Sequence, residues 1–209
     1  MKIKAYASSS KGNCYLVASD TTNIIVDIGY SVKRLLTEVT PDALLITHHH
    51  GDHVSGLDTF KAKCKAPVYE GLMSFTIGDL QIDGFPVSHD IEAYGYTIIG
   101  NKRVTVILDT GTITDEMQSE IDKADVLIIE ANHDEKLIHL SDYNSYLKSR
   151  ILSDVGHLSN QQVAEAIKTC EGKIYLAHMS EETNFPVHAK TVIEKLSGKK
   201  VEILGREAR

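Results

Sequence analysis

The sequence predicts an α/β protein, a four-layer αββα sandwich in which two mixed β-sheets are flanked by helices. Three observations carry that expectation. Short apolar runs of strand length alternate with helical segments along the whole chain. Five of those runs end in His, Asp or Glu, which gathers polar groups at strand C-termini, as layered sheet-and-helix architectures do. A length of 209 residues with 42% hydrophobic content suits a single domain, 1–209, able to bury two packed sheets.

Taken in order, Lys2–Ala7, Cys14–Ser19 and Asn23–Ile28 read as strands separated by the turn-rich stretches SSSKGN and SDTT. Ser31 is placed to cap a short helix running to about Val39 and stopped by Pro41. An apolar strand at Leu44–Ile46 precedes THHHGDH, after which Val54 to about Lys63 reads as helix and Pro67–Tyr69 as a short strand. Ser74–Val87 reads as two strands around Gly78-Asp79, and Tyr94–Ile99 pairs with Arg103–Leu108 across Gly100-Asn101. Thr114, with Asp115 and Glu116, starts a helix that leads to a strand at Asp125–Ile129. Irregular sequence follows, then a helix around Asp142–Leu152. A capping box at Ser159 and Gln162 opens a helix through about Thr169. Lys173–Ala177 is a strand, Pro186–Leu196 a helix and Val201–Leu204 the closing strand.

Composition narrows the function. The N-terminus lacks an apolar core of signal-peptide length and no apolar run approaches ~18 residues, so a cytoplasmic protein that does not cross a membrane is expected. Cys14, Cys64 and Cys170 lie far apart with no CxxC spacing and read as reduced packing residues. A net charge of −7 argues against wholesale electrostatic binding of nucleic acid. Two divalent cations would add about +4 locally, which leaves room for a small or locally gripped phosphodiester. Lys61, Lys63 and Lys65 read first as a solvated face, with contact to a phosphate backbone as the alternative.

The chemistry concentrates in Leu44–Gly56. In an extended segment His48 and His50 point the same way and can hold one cation, while His49 faces the other side. Adjacent Asp52 and His53 must diverge, towards a second cation or towards groups that support the first, and Gly51 supplies backbone freedom for the bend. His-rich tracts with an embedded Asp read as metal binding. His89, at a strand end, can complete the first ligand set. Asp109, at another, can bridge two cations near the ~3.5–4 Å separation of two-metal sites. Asp27 suits either a partner for a ligand histidine or a turn. In SSSKGN, Lys11 and the amides around Gly12 and Asn13 suit either a phosphate or a plain hairpin. His157 sits outside a helix N-terminus, where the dipole lowers its pKa unless a carboxylate such as Glu130 compensates.

His48-x-His50-x-Asp52-His53, followed by His89, Asp109 and His178, resembles the HxHxDH signature set of the metallo-β-lactamase fold superfamily, and the resemblance spans almost the whole chain. SSSKGN, Ser88-His89-Asp90, EANHD at 130–134, GHLSN at 156–160 and AHMSEETN at 177–184 are similar to the YycJ (WalJ) group, metal-dependent hydrolases associated with 5′–3′ DNA exonuclease activity. More distantly, Glu130 and His157 resemble motifs of tRNase Z, and the metal set resembles that of PhnP phosphodiesterases. The resemblance implies that His48, His50 and His89 bind a first metal, that Asp52, His53 and His178 bind a second, and that Asp109 lies between them.

The expected activity is hydrolysis of a phosphodiester, DNA or RNA, by a metal-bridging hydroxide. Two Zn²⁺ or Mn²⁺ ions, which suit His and carboxylate ligands about equally, are the cofactors. Asp52 orients the nucleophile, and His157, oriented by Glu130, is the general acid. One departure stands out: only Glu70–Ser88 lies where the YycJ-like pattern has a longer helical segment, which favours a short, single-stranded or small diester over long duplex DNA. The alternatives are a cyclic-nucleotide or small-molecule phosphodiesterase, a nucleotide sensor without turnover, and redox chemistry at iron, for which the expected ligand change and flavin domain are not seen.

Overall fold

The computed structural model describes residues 1–205. Strands β1 (Lys2–Ser9), β2 (Gly12–Ala18), β3 (Asn23–Val26), β4 (Ala43–Leu45) and β5 (Val68–Tyr69) form one sheet in that order. Its first two pairings are antiparallel and its last two parallel. The second sheet holds β6 (Ser74–Ile77), β7 (Leu80–Pro86), β8 (Tyr94–Ile99), β9 (Arg103–Ile107), β10 (Val126–Glu130), β11 (Lys173–Ala177) and β12 (Val201–Ile203), again in order. It is antiparallel from β6 to β9 and parallel from β9 to β12.

Alternation along the strands produces the layers. On β3, Ile24 and Val26 point between the sheets and meet Ile82, Tyr96, Val106 and Ile128, whereas Ile25 points outward. Outside the first sheet lie helices α1 (Val32–Glu38), α2 (Gly51–Val54) and α3 (Leu57–Lys63), with Leu35 and Phe60 packed on Leu16, Ile25 and Leu44. Outside the second lie α4 (Asp115–Lys123), α7 (Asn160–Ala166) and α8 (Pro186–Ser197), and between β10 and α7 the chain forms α5 (Glu135–Leu140) and α6 (Ser145–Ile151). Ile121, Val163, Ile167 and Ile193 cover Leu127 and Ile129 of β10. Strands apolar on both faces must be covered on both, and the four-layer sandwich does this.

Several local expectations are corrected. The stretch after EANHD is not irregular: Asp134 accepts hydrogen bonds from the Lys136 and Leu137 amides and starts α5. Ser31 occupies the N-cap position of α1, but its side chain makes no capping bond. The metal-loop sequence itself forms the helical turn α2, and the longer helix begins only at Leu57. Thr114 caps α4 through the Met117 amide, and Ser159 with Gln162 forms the capping box of α7. The three cysteines are free thiols packed against the cores. Among the described residues, no helix is long and apolar enough to cross a membrane.

Candidate metal centre

The segments that follow β4, β7, β9, β10 and β11 bring His48–His53, His89, Asp109, Glu130 with His157, and His178 to one place. Asp27, Asp109 and His178, each just past a strand, adopt φ of 59°, 50° and 45°. Non-glycine residues rarely enter this left-handed region, and such conformations cluster where side chains must be aimed. Gly29 lets the loop carrying Asp52 come close: a Cβ on it would fall 1.7 Å from the Asp52 carbonyl oxygen. The Gly111 amide donates to the Ser88 carbonyl at 2.9 Å, tying the His89 and Asp109 segments together.

Three donor groups share Asp109; two match the expected ligand sets, and the third joins it to Glu130, His157 and His178. In the first, His48 Nε2 and His89 Nε2 each lie 3.1 Å from His50 Nδ1, and Asp109 Oδ2 is 3.4 Å from His48 Nε2. In the second, His53 Nε2 lies 3.4 Å from Asp52 Oδ2 and 3.3 Å from Asp109 Oδ2, and His178 Nε2 lies 3.2 Å from Asp109 Oδ1. Ligand atoms ~2.0–2.1 Å from a tetrahedral ion stand about 3.3 Å apart, so this spacing suits a cation at the middle of each of these two groups. Asp109 Oδ1, although buried, accepts no hydrogen bond, which is what an oxygen reserved for a cation looks like.

The far nitrogens of four of these imidazoles are engaged. Thr47 Oγ1 lies 3.0 Å from His48 Nδ1, Asp90 Oδ1 lies 3.3 Å from His50 Nε2, Asp27 Oδ2 lies 2.7 Å from His53 Nδ1, and Asn13 Oδ1 lies 3.0 Å from His178 Nδ1. Partners of this kind fix ring orientation and tautomer in metal sites. Asp27 therefore supports His53 rather than a turn. Asn13, Thr47 and Asp90 were not assigned these roles from sequence. Asn13 had a signal as part of SSSKGN and Asp90 as part of Ser88-His89-Asp90; SSSKGN is a plain β1–β2 hairpin, in which Lys11 pairs with Glu181 and the Asn13 side chain turns into the site, donating to Asp52 Oδ2 at 3.2 Å.

Electrostatics agree with the donor chemistry. Burial holds His89 and His178 at about 4, so both imidazoles stay neutral and keep a lone pair. Burial opposes ionisation of Asp109, but His178, His53 and His157 outweigh it and keep the carboxylate well below its ordinary range.

Glu130 is fully buried. Its Oε1 accepts from the Thr110 amide at 2.6 Å and the Leu158 amide at 3.3 Å, while Oε2 lies 3.0 Å from His157 Nδ1. Both oxygens are thus committed to holding neighbours. The His157 ring lies 5.5 Å from both the His89 and the His178 ring, centroid to centroid, so it faces both donor groups. Burial disfavours its charged form, yet Glu130 and Asp109 push it up to about 9. The asparagines of GHLSN and AHMSEETN fasten this corner: Asn160 and Asn184 exchange hydrogen bonds of 3.1 and 2.9 Å, and Asn184 donates to the Ala131 carbonyl at 2.8 Å.

Comparison with known proteins places the chain. The family pattern described as Metallo-beta-lactamase superfamily matches residues 10–120, and that described as Beta-lactamase superfamily domain matches 69–179. The chain is 34% identical to Exodeoxyribonuclease WalJ of Streptococcus pneumoniae serotype 2 (strain D39 / NCTC 7466), covering 88% of this chain and 83% of that protein. It is 32% identical to Exodeoxyribonuclease YycJ of Bacillus anthracis, covering 91% and 86%. The WalJ alignment spans 223 positions, more than the 209 residues here, so that relative carries segments absent from this chain. Among solved structures, the metallo-beta-lactamase fold protein YhfI from Bacillus subtilis superposes with a TM-score of 0.75 at 17% identity, covering 96% of this chain and 95% of that one. A diphosphatase of the PhnP family and the short form of human tRNase Z share the fold, with TM-scores of 0.67 and 0.65 at 14% and 15% identity; they cover 86% and 87% of this chain, and 86% and 93% of their own. This chain belongs to the metallo-beta-lactamase superfamily, in the group of WalJ and YycJ.

Proposed function

We propose that this protein is a binuclear metal-dependent phosphodiesterase that degrades DNA strands as an exonuclease. The observation that carries the reading is the pair of donor groups joined at Asp109 with a carboxylate-held histidine facing both. The WalJ and YycJ relatives, both named exodeoxyribonucleases, support DNA as the substrate. His48, His50 and His89 would hold one ion and Asp52, His53 and His178 the other, with Asp109 available to both. With histidine and carboxylate donors and no thiolate, the ions are Zn²⁺ or Mn²⁺.

When bound, two such cations supply Lewis acidity, making hydroxide available near neutral pH and neutralising charge that grows on the phosphoryl oxygens. The chain's own residues do the rest. Asp52, partly exposed and held by Asn13, accepts a hydrogen bond from the attacking water and so orients it. His157 carries a proton on the face opposite Glu130 and gives it to the leaving oxygen, while Glu130 holds the ring and favours its charged form until that transfer. The segment Glu70–Ser88 contains only the β6–β7 hairpin, which favours a single strand or a small diester over a long duplex.

The test is a screen of metal-loaded protein against end-labelled single- and double-stranded DNA, RNA and cyclic nucleotides, with Asp52→Ala as control. Progressive shortening of DNA from one end, lost in the variant, supports the reading. Turnover of cyclic nucleotides alone would replace it with a small-diester phosphodiesterase, and tight nucleotide binding without turnover would replace it with a sensor.

A further inference from the structure

The turn that follows helix α6 is fastened to the metal centre. Ser88 Oγ donates to the Asp154 carbonyl at 2.8 Å, and a Cβ on Gly111 would lie 2.2 Å from the Ser153 carbonyl oxygen, so the turn after α6 packs directly on the segments that carry His89 and Asp109. From that turn back along the helix, Arg150 reaches the site. Its Nε donates to Asp90 Oδ2 at 2.6 Å, and Asp90 Oδ1 lies 3.3 Å from both His50 Nε2 and His89 Nε2. One carboxylate therefore separates a guanidinium from the first donor group.

That contact uses one of the five N–H donors of Arg150. Among the described residues, no hydrogen bond engages its two terminal amino groups, and the side chain is 35% exposed. Other cations nearby are committed: Lys148 donates to the His139 carbonyl and Lys11 pairs with Glu181. A guanidinium fixed at Nε presents its remaining edge as a preformed fork for phosphate oxygens. One helical turn earlier on the same face stands Tyr146, 78% exposed.

We propose that Arg150 grips the phosphate next to the scissile one in a single-stranded nucleic acid, and that Tyr146 stacks on the base of that nucleotide. A base free to stack on a side chain is one that is not paired, so this pair selects single strands. The proposal rests on the phosphodiesterase reading above and deepens it by naming how the strand is held.

The test measures binding of the metal-loaded protein to a short phosphorothioate oligodeoxythymidylate by fluorescence anisotropy at several salt concentrations. Arg150→Met is expected to weaken binding and to lower the slope of log K against log[salt] by about 0.7, the value of one phosphate contact on a single strand. Arg150→Lys, which keeps the charge, is expected to keep the slope, showing that the Met variant's loss is not collapse of the helix. Tyr146→Ala is expected to weaken binding roughly tenfold without changing the slope, and Tyr146→Phe to restore it. Turnover of bis(p-nitrophenyl) phosphate, which has neither a second phosphate nor a base, should fall at least tenfold less in Arg150→Met than turnover of the unmodified oligonucleotide. An unchanged slope in Arg150→Met, or equal losses on the two substrates, overturns the proposal. Hydrolysis of the small diester by wild type without any oligonucleotide binding also overturns it, whereas hydrolysis of neither substrate overturns the phosphodiesterase reading itself.

Discussion

Replacing Glu130 with Gln removes one negative charge from a buried position 3.0 Å from His157 Nδ1 while keeping an oxygen for the Thr110 and Leu158 amides. With Glu130 present, His157 titrates at about 9 against an ordinary value near 6.5, a bias of roughly 3 kcal/mol towards imidazolium. In the variant, burial still disfavours the charged form and only Asp109 remains to oppose it, so the group falls towards its ordinary value near 6.5. At pH 8 a group of pKa 6.5 is about 3% protonated against about 90% for one of pKa 9, so turnover that needs the proton should fall roughly 30-fold. The loss should shrink as pH falls towards 6, because the acid form is present below the pKa and lost as pH rises through it. Bound cations, which also repel the imidazolium, make the Glu130 charge more necessary. The assay is kcat against pH on two diesters, one with an alkoxide leaving group and one with p-nitrophenolate, which departs without a proton. A fall confined to the alkoxide substrate is predicted. Identical pH profiles for wild type and variant on that substrate would refute the assignment of His157 and Glu130.

Asp27→Asn should weaken metal binding by about 10–100-fold, read by chelator competition, because Asp27 Oδ2 lies 2.7 Å from His53 Nδ1 and its charge favours the metal-binding tautomer. Gly29→Ala should abolish hydrolysis while the chain still folds by circular dichroism, since the new methyl group would force the Asp52 backbone, 1.7 Å away, to move. Ile128→Ala, deep between the sheets, should lower unfolding stability by about 2–5 kcal/mol in urea titration without altering metal content.

Much of this arrangement was legible in the sequence because strand ends and donor residues coincide. His89, Asp109, Glu130 and His178 each stand at or just past an apolar run, and strand direction alone brings such residues to one edge. The support around them was harder to read. Asp90 meets His50 across forty positions, and Asn13 meets His178 across 165, distances over which no local pattern carries information. The left-handed backbone at Asp27, Asp109 and His178 was also invisible, since glycine is the residue that normally announces it. Helix α5 has no separate signal, since its N-cap, Asp134, is also the last residue of EANHD and only the fold shows its side chain capping the helix.

The central claim is that one carboxylate, Asp109, serves two ions. Metal content by mass spectrometry, combined with anomalous diffraction from crystals of metal-loaded protein, tests it most directly. Two ions per chain are predicted, one among His48, His50 and His89 and the other among Asp52, His53 and His178, with both weakened in Asp109→Asn. A single ion per chain, or an Asp109→Asn variant that keeps both ions at wild-type affinity, would contradict the account.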